Sequence, residues 1–351
     1  MVEPGVYEAL GKSLVGPLDP YFMGVLDQTR EMLRSTFGTR NPMTWAISGT
    51  GSSGMETAIA NFVEPNSKFA VLDCGFFGSR MADMGRRQGA RVVTLEKPWG
   101  EVFGYDEVAE FVQREKPGVV AFVHAETSTG ALQDPRPIVK AALEVDALTI
   151  ADCVTSLGAM QVSLDEIGID IAYSCSQKGL SCTPGLAPFT ASPRAVERLN
   201  ARKAPVPQWY LDLRLLGEYF DGHKYHHTAS ATLFYALHES LRLIHEEGLE
   251  TRFERHRQAH QALMQGFKAL GVRMHVPEGR RIPHVNTPVV PDGVDNAKVR
   301  KHLIEKNGIE IALGRGPLDG KIFRIGVMGP MANQDCVAMF LGHFVEALQA
   351  G

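Results

Sequence analysis

The apolar positions of this chain change period several times, and those changes mark its elements. A weak helical stretch falls at residues 7–14. Phe22, Val25, Leu26 and Met32 then recur at helical spacing, which predicts a long helix after Asp19-Pro20 that runs through Phe37. Gly38-Thr39-Arg40-Asn41-Pro42 is a stop signal. Residues 44–48 read as a strand, residues 49–54 (Gly-Thr-Gly-Ser-Ser-Gly) as a turn, and residues 55–62 as a helix. A strand–helix rhythm follows, with strands at 69–72, 91–95, 119–123, 148–151 and 169–174 and helices at 79–88, 105–115 and 138–143. The pattern loosens over 205–225, then gives a long helix at 231–244, a break at Gly248 and a basic, histidine-bearing helix over 249–270. After Gly271 the rhythm changes: strands near 272–275, 285–290 and 309–311 surround a helix at 296–305, and a strand at 323–326 precedes a closing helix at 334–348.

Repeated strand–helix units of this size predict an α/β fold with a large, mostly parallel sheet covered by helices on both faces. The later pattern predicts a smaller α+β domain. The expected organisation is an N-terminal segment over 1–18, a large domain over 19–255 and a small C-terminal domain over 256–351. In such sheets ligands sit beyond the carboxyl ends of the strands. The 49–54 turn, residues 124–130, Asp152 and Lys178 all fall at such ends.

Each of these has a plain reading and a chemical one. Lys178 follows a short apolar run among small residues, where an ammonium would be partly desolvated, its pKa would fall, and it could form a Schiff base with a carbonyl; it could equally be a loop lysine. The 49–54 turn opens a helix and offers unpaired N–H groups suited to a phosphate, although it lacks the Lys-Ser/Thr of a nucleotide-binding loop and could be a tight turn only. Asp152 could cap a turn or stay ionised against a protonated ring nitrogen. An amine and a carboxylate from successive strand ends suit pyridoxal phosphate, with Phe76 or Phe77 as a flat neighbour for its ring. A nucleotide-binding dehydrogenase and plain structural use remain open at this level.

Composition narrows the field. A net charge of -4 argues against nucleic acid as a main partner, and no run of about 18 apolar residues suggests a membrane span. Met1 leads into Glu3, Pro4 and Gly5 without a basic and apolar leader, so a cytoplasmic location is expected. The five cysteines are scattered without metal-like spacing, and Cys175 and Cys182 read as buried small residues rather than nucleophiles. Adjacent His226 and His227 point different ways on any regular element, and no metal site is expected.

Nearly the whole chain from about Val15 resembles the alanine–glyoxylate and serine–pyruvate aminotransferases, class V pyridoxal-phosphate enzymes of the aspartate-aminotransferase-like fold (fold type I). The resemblance is carried by Thr39-Arg40-Asn41-Pro42, Ser48-Gly49-Thr50-Gly51, Glu126-Thr127-Ser128-Thr129-Gly130, Ser174-Cys175-Ser176-Gln177-Lys178, Trp209-Tyr210-Leu211-Asp212, Tyr225-His226-His227-Thr228 and Gly320-Lys321-Ile322-Phe323-Arg324-Ile325-Gly326. It implies that Lys178 carries pyridoxal 5'-phosphate as a Schiff base and moves the substrate proton, while Asp152 pairs with the pyridine nitrogen. Phe77 stands where tryptophan often stacks on the ring, and Thr127 where a hydroxyl lies near the ring oxygen. Thr50, Gly51, Ser52 and Gln177 would serve the phosphate, Val154 would line the cofactor, and Arg324 would grip the substrate carboxylate. Tyr225 and Thr228 would reach the phosphate from the neighbouring subunit of a homodimer, and the segment 1–18 would pack near the small domain or that interface.

The implied activity is ping-pong transfer of an amino group from alanine or serine to glyoxylate or pyruvate. Another donor (ureidoglycine, aspartate or an aminophosphonate), a lyase activity, and a catalytically weak binding homologue stay as alternatives. Two departures bear on the pocket. The resemblance begins past a Gly-Pro-rich segment that family members carry ahead of the part matching Glu3 to Leu14, which implies another pocket wall or a more open pocket. Arg315 stands where many relatives are apolar, either as a surface substitution or to meet a distal carboxylate.

Overall fold

The computed structural model of the protein describes residues 2–351. Along the chain the strands are β1 (Met43–Ser48), β2 (Lys68–Asp73), β3 (Arg91–Glu96), β4 (Val119–Val123), β5 (Ala125–Glu126) and β6 (Ala131–Leu132). They continue with β7 (Leu148–Asp152), β8 (Ile171–Tyr173), β9 (Leu186–Ala191), β10 (Val285–Asn286), β11 (Ala312–Leu313) and β12 (Phe323–Gly326). Seven of them form one sheet in the order β1-β9-β8-β7-β4-β2-β3. Only β9 runs against its neighbours, so the expected mostly parallel sheet is present.

Helices cover both faces of that sheet, which is why its central strands are apolar without alternation. Every residue of β4 and β7 is buried, each large aliphatic side chain there contributing about 1.5–3 kcal/mol. Edge strand β3 is partly exposed and ends in Arg91 and Glu96, charges that discourage a further strand from pairing with it. The larger apolar core runs from Val6 to Ile244. The N-terminal helix Pro4–Leu10 buries Val6 and Ala9 in this core, rather than in the smaller one. The smaller core gathers residues between Ala259 and Ala347 around the antiparallel sheet β10-β12-β11. Among the described residues no helix is long and apolar enough to cross a membrane.

Helix Leu249–Ala269 joins the two cores. Its Ala259, Leu263 and Phe267 enter the smaller core. Two turns earlier, buried Arg252 donates to the carbonyls of Gly158 (2.7 Å) and Gly179 (2.9 Å) and to Ser181 Oγ (2.9 Å), and its charge is met by Glu247. The helix thereby ties the backbone just after Lys178 to the loop that follows β7.

Some boundaries differ from the sequence expectation for identifiable reasons. The helix expected at 55–62 begins at Gly51, with Thr50 as its N-cap, and the one expected at 79–88 begins at Phe76 after an extended Gly75. Strand β9 escapes the pattern because Pro188 sits inside it, and proline ordinarily marks an edge. Here the Pro188 carbonyl accepts from Ser174 N–H at 2.8 Å just past the end of β8, where the missing donor interrupts little of the ladder. No regular strand forms at 272–275. One isolated bridge, Met274 with Pro288, is made there, with His275 N–H reaching Thr287 O and Val289 N–H reaching Arg273 O. The strand expected at 285–290 shortens to β10, because Pro288, whose carbonyl accepts from Phe323 N–H at 3.0 Å, has no N–H to return that bond. The strand expected at 309–311 moves to β11, because Arg300 Nε takes the Ile311 carbonyl at 3.1 Å.

Candidate active site

The carboxyl ends of the parallel strands share one edge of the sheet, and each delivers a polar group there. β7 ends in Asp152, buried to 2% exposure. Its Oδ1 accepts from Val154 N–H at 2.8 Å and its Oδ2 from Tyr173 O–H at 2.9 Å. The turn reading of this aspartate therefore holds: its carboxylate caps its own turn and is buried at the strand end. Burial pushes its pKa up, while the two donors and the Lys178 and Arg80 charges oppose that rise.

Lys178 lies in the turn after β8, and the sheet brings its amine back over the β4 and β7 ends. Nζ donates to Thr127 Oγ1 at 2.8 Å and to Thr155 Oγ1 at 3.0 Å, and those two hydroxyls bond to each other. Desolvation lowers the lysine's pKa, as its sequence setting implied, against the pull of Cys175, Asp152 and Glu126. Small residues make the close packing of this turn possible. A Cβ on Gly179 would lie 2.2 Å from the Leu157 carbonyl oxygen, so only glycine lets the turn approach the β7 loop.

Thr127 is positioned by the hairpin β5–β6, whose loop ends at Gly130 with φ +82. The carboxylate of Glu126 organises the rest. It accepts from Ser128 N–H (3.0 Å), Ser128 Oγ (2.6 Å) and Phe77 N–H (3.1 Å). Phe77 is thus tied to the Thr127 loop, with its ring centre 5.5 Å from Lys178 Nζ.

The helix that begins at Gly51 meets the same edge. Its first N–H groups, at Gly51 and Ser52, have no carbonyl of their own helix within reach. Gly51 is buried against Val154 and Cys175: an added Cβ would fall 2.9 Å from Val154 Cγ2 and 3.2 Å from Cys175 Cβ. Thr50 and Gln177 are exposed at the rim. Ser52 Oγ accepts from Arg80 at 3.1 Å.

Arg324 comes from the other core. In β12 it alternates with Phe323 and Ile325, which are buried in the small core, so its guanidinium faces the opposite way. Nε donates to Leu313 O at 2.8 Å, and a terminal nitrogen lies 3.5 Å from Thr127 O. No carboxylate pairs with it among the described residues.

Tyr225 and Thr228 are not part of this cluster. They share a hydrogen bond at 3.2 Å on an exposed strap, Tyr225 being 61% exposed. His227 ties the strap to the end of β1 through Ser48 Oγ at 2.8 Å, and His226 stacks on Trp209 with centroids 4.4 Å apart. The histidines order the strap. Burial raises the Cys175 and Cys182 thiols to about 11, in line with their reading as packing residues.

Several site residues carry no sequence signal of their own. Thr155 matters only because the turn after β8 folds back on it. Tyr173 looks like one more apolar strand position, and Arg80 like a solvated helix residue. Behind them His284, fully buried, donates through Nε2 to Thr155 O at 2.6 Å.

Pyridoxal phosphate fits this arrangement. A desolvated amine, a buried carboxylate, an aromatic ring and free N–H groups at a helix start converge. The glycine at that helix start leaves room where a side chain would press on Val154. The class-V aminotransferase family matches residues 6–317. The (S)-ureidoglycine–glyoxylate transaminase of Bacillus subtilis is 38% identical over 97% of this chain and 86% of its own. The solved alanine–glyoxylate aminotransferase of a Nostoc species superposes with a TM-score of 0.97 at 43% identity, covering 99% of this chain and 92% of that one. The aspartate aminotransferase of subgroup IV from Thermus thermophilus superposes with a TM-score of 0.91 at 31% identity, covering 99% and 96%. Three relatives named for three different donors share the architecture, so the fold settles the reaction class and leaves the donor to the pocket. The chain belongs to the class-V aminotransferases, pyridoxal-phosphate-dependent enzymes of fold type I.

Proposed function

We propose that the protein moves an amino group from a small amino acid, alanine or serine, to glyoxylate or pyruvate, with pyridoxal 5'-phosphate held at Lys178. The observation that carries this reading is the Lys178 amine itself. It is desolvated, held by two hydroxyls and no carboxylate, and placed above a buried aspartate. Pyridoxal phosphate, when bound, supplies an electron-withdrawing ring that makes a substrate Cα–H acidic.

The chain's own residues then have separable tasks. Lys178 Nζ would hold the cofactor aldehyde and, once displaced from it by the donor's amine, would take the proton from the donor's Cα and return one to the acceptor's. Thr127 and Thr155 fix Nζ between those two positions. Asp152 keeps a ring nitrogen protonated, with Tyr173 and the Val154 N–H setting its orientation. Phe77 and Val154 flank the ring. Gly51 and Ser52 N–H groups, Thr50, Ser52 Oγ and Gln177 serve the phosphate, where the helix N-terminus favours an anion. Arg324 takes the α-carboxylate through its planar fork, which fixes the Cα–H for removal.

The strap at 225–228 supports a homodimer. Trp209, Tyr210 and Tyr225 are all exposed around His226. Such an aromatic surface marks an interface, and Tyr225 and Thr228 there would complete a partner's phosphate site. Spectra of the holoenzyme against a panel of amino acids test the function. Alanine or serine should convert the aldehyde band to the amine form and release pyruvate or hydroxypyruvate. A spectrum that no amino acid changes would refute it.

A further inference from the structure

Arg315 sits in the loop Gly314-Arg315-Gly316, and that loop is built so that only its arginine projects. A Cβ on Gly314 would lie 1.8 Å from Leu318 O, and Gly316 has φ +54 with the Trp99 ring 3.2 Å from its would-be Cβ. The Arg315 carbonyl accepts from Leu318 N–H at 3.1 Å, which fixes the backbone beneath the side chain. A long cation is therefore mounted on a rigid base at the mouth of the active site.

Its surroundings connect it to the reacting amine. The guanidinium carbon lies 5.6 Å from the Phe76 ring centre. Phe76 meets Phe77 edge-on at 5.4 Å, and the Phe77 ring lies 5.5 Å from Lys178 Nζ. On the other side Arg80 lies 4.9 Å from Phe76, but Arg80 is already committed to Ser52. Among the described residues the Arg315 guanidinium lies over one aromatic ring, that of Phe76, and has no hydrogen-bond partner or ion pair. Arg324 feels it directly: the Arg315 charge helps lower the Arg324 pKa, and buried Glu126 is the acid that opposes it. Two guanidinium groups, neither of them ion-paired among the described residues, repel each other, and a ligand carrying two acidic groups relieves that repulsion.

We infer that Arg315 binds a second anionic group on the substrate side chain, so that the site takes amino acids with an acidic side chain alongside alanine and serine. This rests on the transaminase reading of the site and names a substrate class for it. The chemistry keeps its balance: the donor carbon loses its amino group and hydrogen and becomes the ketone of a 2-oxo acid. The acceptor ketone gains both and is reduced to the amine. A side-chain carboxylate and a side-chain phosphonate share the recognising chemistry.

The test uses the holoenzyme, with Arg315→Leu and Arg315→Lys beside it. Calorimetry compares unreactive succinate with butyrate, and half-reaction kinetics compare aspartate, glutamate and 2-amino-3-phosphonopropionate with alanine. The expected result is that wild type binds succinate about tenfold tighter than butyrate, with Arg315→Leu abolishing the preference and Arg315→Lys keeping part of it. The acidic-to-alanine ratio of kcat/KM should fall about tenfold in Arg315→Leu. Preference for the phosphonate over both carboxylates would support the assignment and name that source. Equal binding of succinate and butyrate by wild type, or equal losses on acidic and neutral donors in Arg315→Leu, would overturn it. If no donor reacts while succinate preference still follows Arg315, the transaminase reading fails and the anion site stands.

Discussion

Replacing Thr155 by valine isolates the part of the site that the sequence does not announce. Valine keeps the shape of threonine and the backbone carbonyl that accepts from His284, and removes one acceptor, 3.0 Å from Lys178 Nζ. A hydrogen bond to a charged group is worth about 1.5–3 kcal/mol, and about 1.4 kcal/mol is a factor of ten in an equilibrium. Burial already favours the neutral amine, and loss of an acceptor for its protons adds to that in the same direction. The neutral fraction of Lys178 at a fixed pH below its midpoint should therefore rise about tenfold. The assay is the pH–rate profile for modification of Lys178 in apoprotein by an amine-reactive reagent, located by peptide mapping. The profile should move to lower pH in Thr155→Val and in Thr127→Val. The double variant should move it by less than the sum, because each hydroxyl also partners the other. A profile that stays in place or moves to higher pH would refute the argument that these hydroxyls hold the charged amine.

Further expectations concern other parts of the site. Gly51→Ala forces a methyl to 2.9 Å from Val154 Cγ2, an overpacking of about 1–3 kcal/mol, and should weaken pyridoxal phosphate binding about tenfold in an absorbance titration. Arg324→Gln should lower kcat/KM for alanine about 100-fold, the loss expected for a buried charge pair with a carboxylate; an unchanged value would remove Arg324 from the substrate site. Burial holds His124 and His256 at about 4 and His284 at about 3, against an ordinary 6.5, so between pH 6.5 and 4 the unfolded chain takes up protons that the native one refuses. Stability should then fall with acidification by about 1.4 kcal/mol per pH unit for each histidine, nothing being lost above 6.5, and His284→Asn should flatten the slope seen in urea unfolding.

The chemistry was legible where a strand pattern ended abruptly in an unlike residue. Asp152 at the end of the buried β7, and Lys178 after β8, stood out because parallel strands deliver their ends to one edge. Arg324 needed the resemblance as well, since alternation in Phe323-Arg324-Ile325 says which way it faces but not what it faces. Thr155, Tyr173 and Arg80 were not legible, because their importance comes from contacts across the fold, between β7 and the turn after β8 or between helix Phe76–Arg87 and the helix start at Gly51. Proline accounts for two misreadings of opposite kind. Pro188 hid β9, a strand with neighbours on both sides, and Pro288 cut short the strand that the apolar pattern promised over 285–290.

The account depends on one amine, Lys178, taking a pyridoxal aldehyde while Asp152 holds the far side of its ring. Reduction of the holoenzyme with borohydride, followed by digestion and mass spectrometry, tests this directly. The pyridoxyl group should appear on Lys178 alone, in wild type and in Arg324→Gln, and prior addition of alanine or serine should prevent its attachment. Attachment to another lysine, or protein that takes up no pyridoxyl group at all, would contradict it.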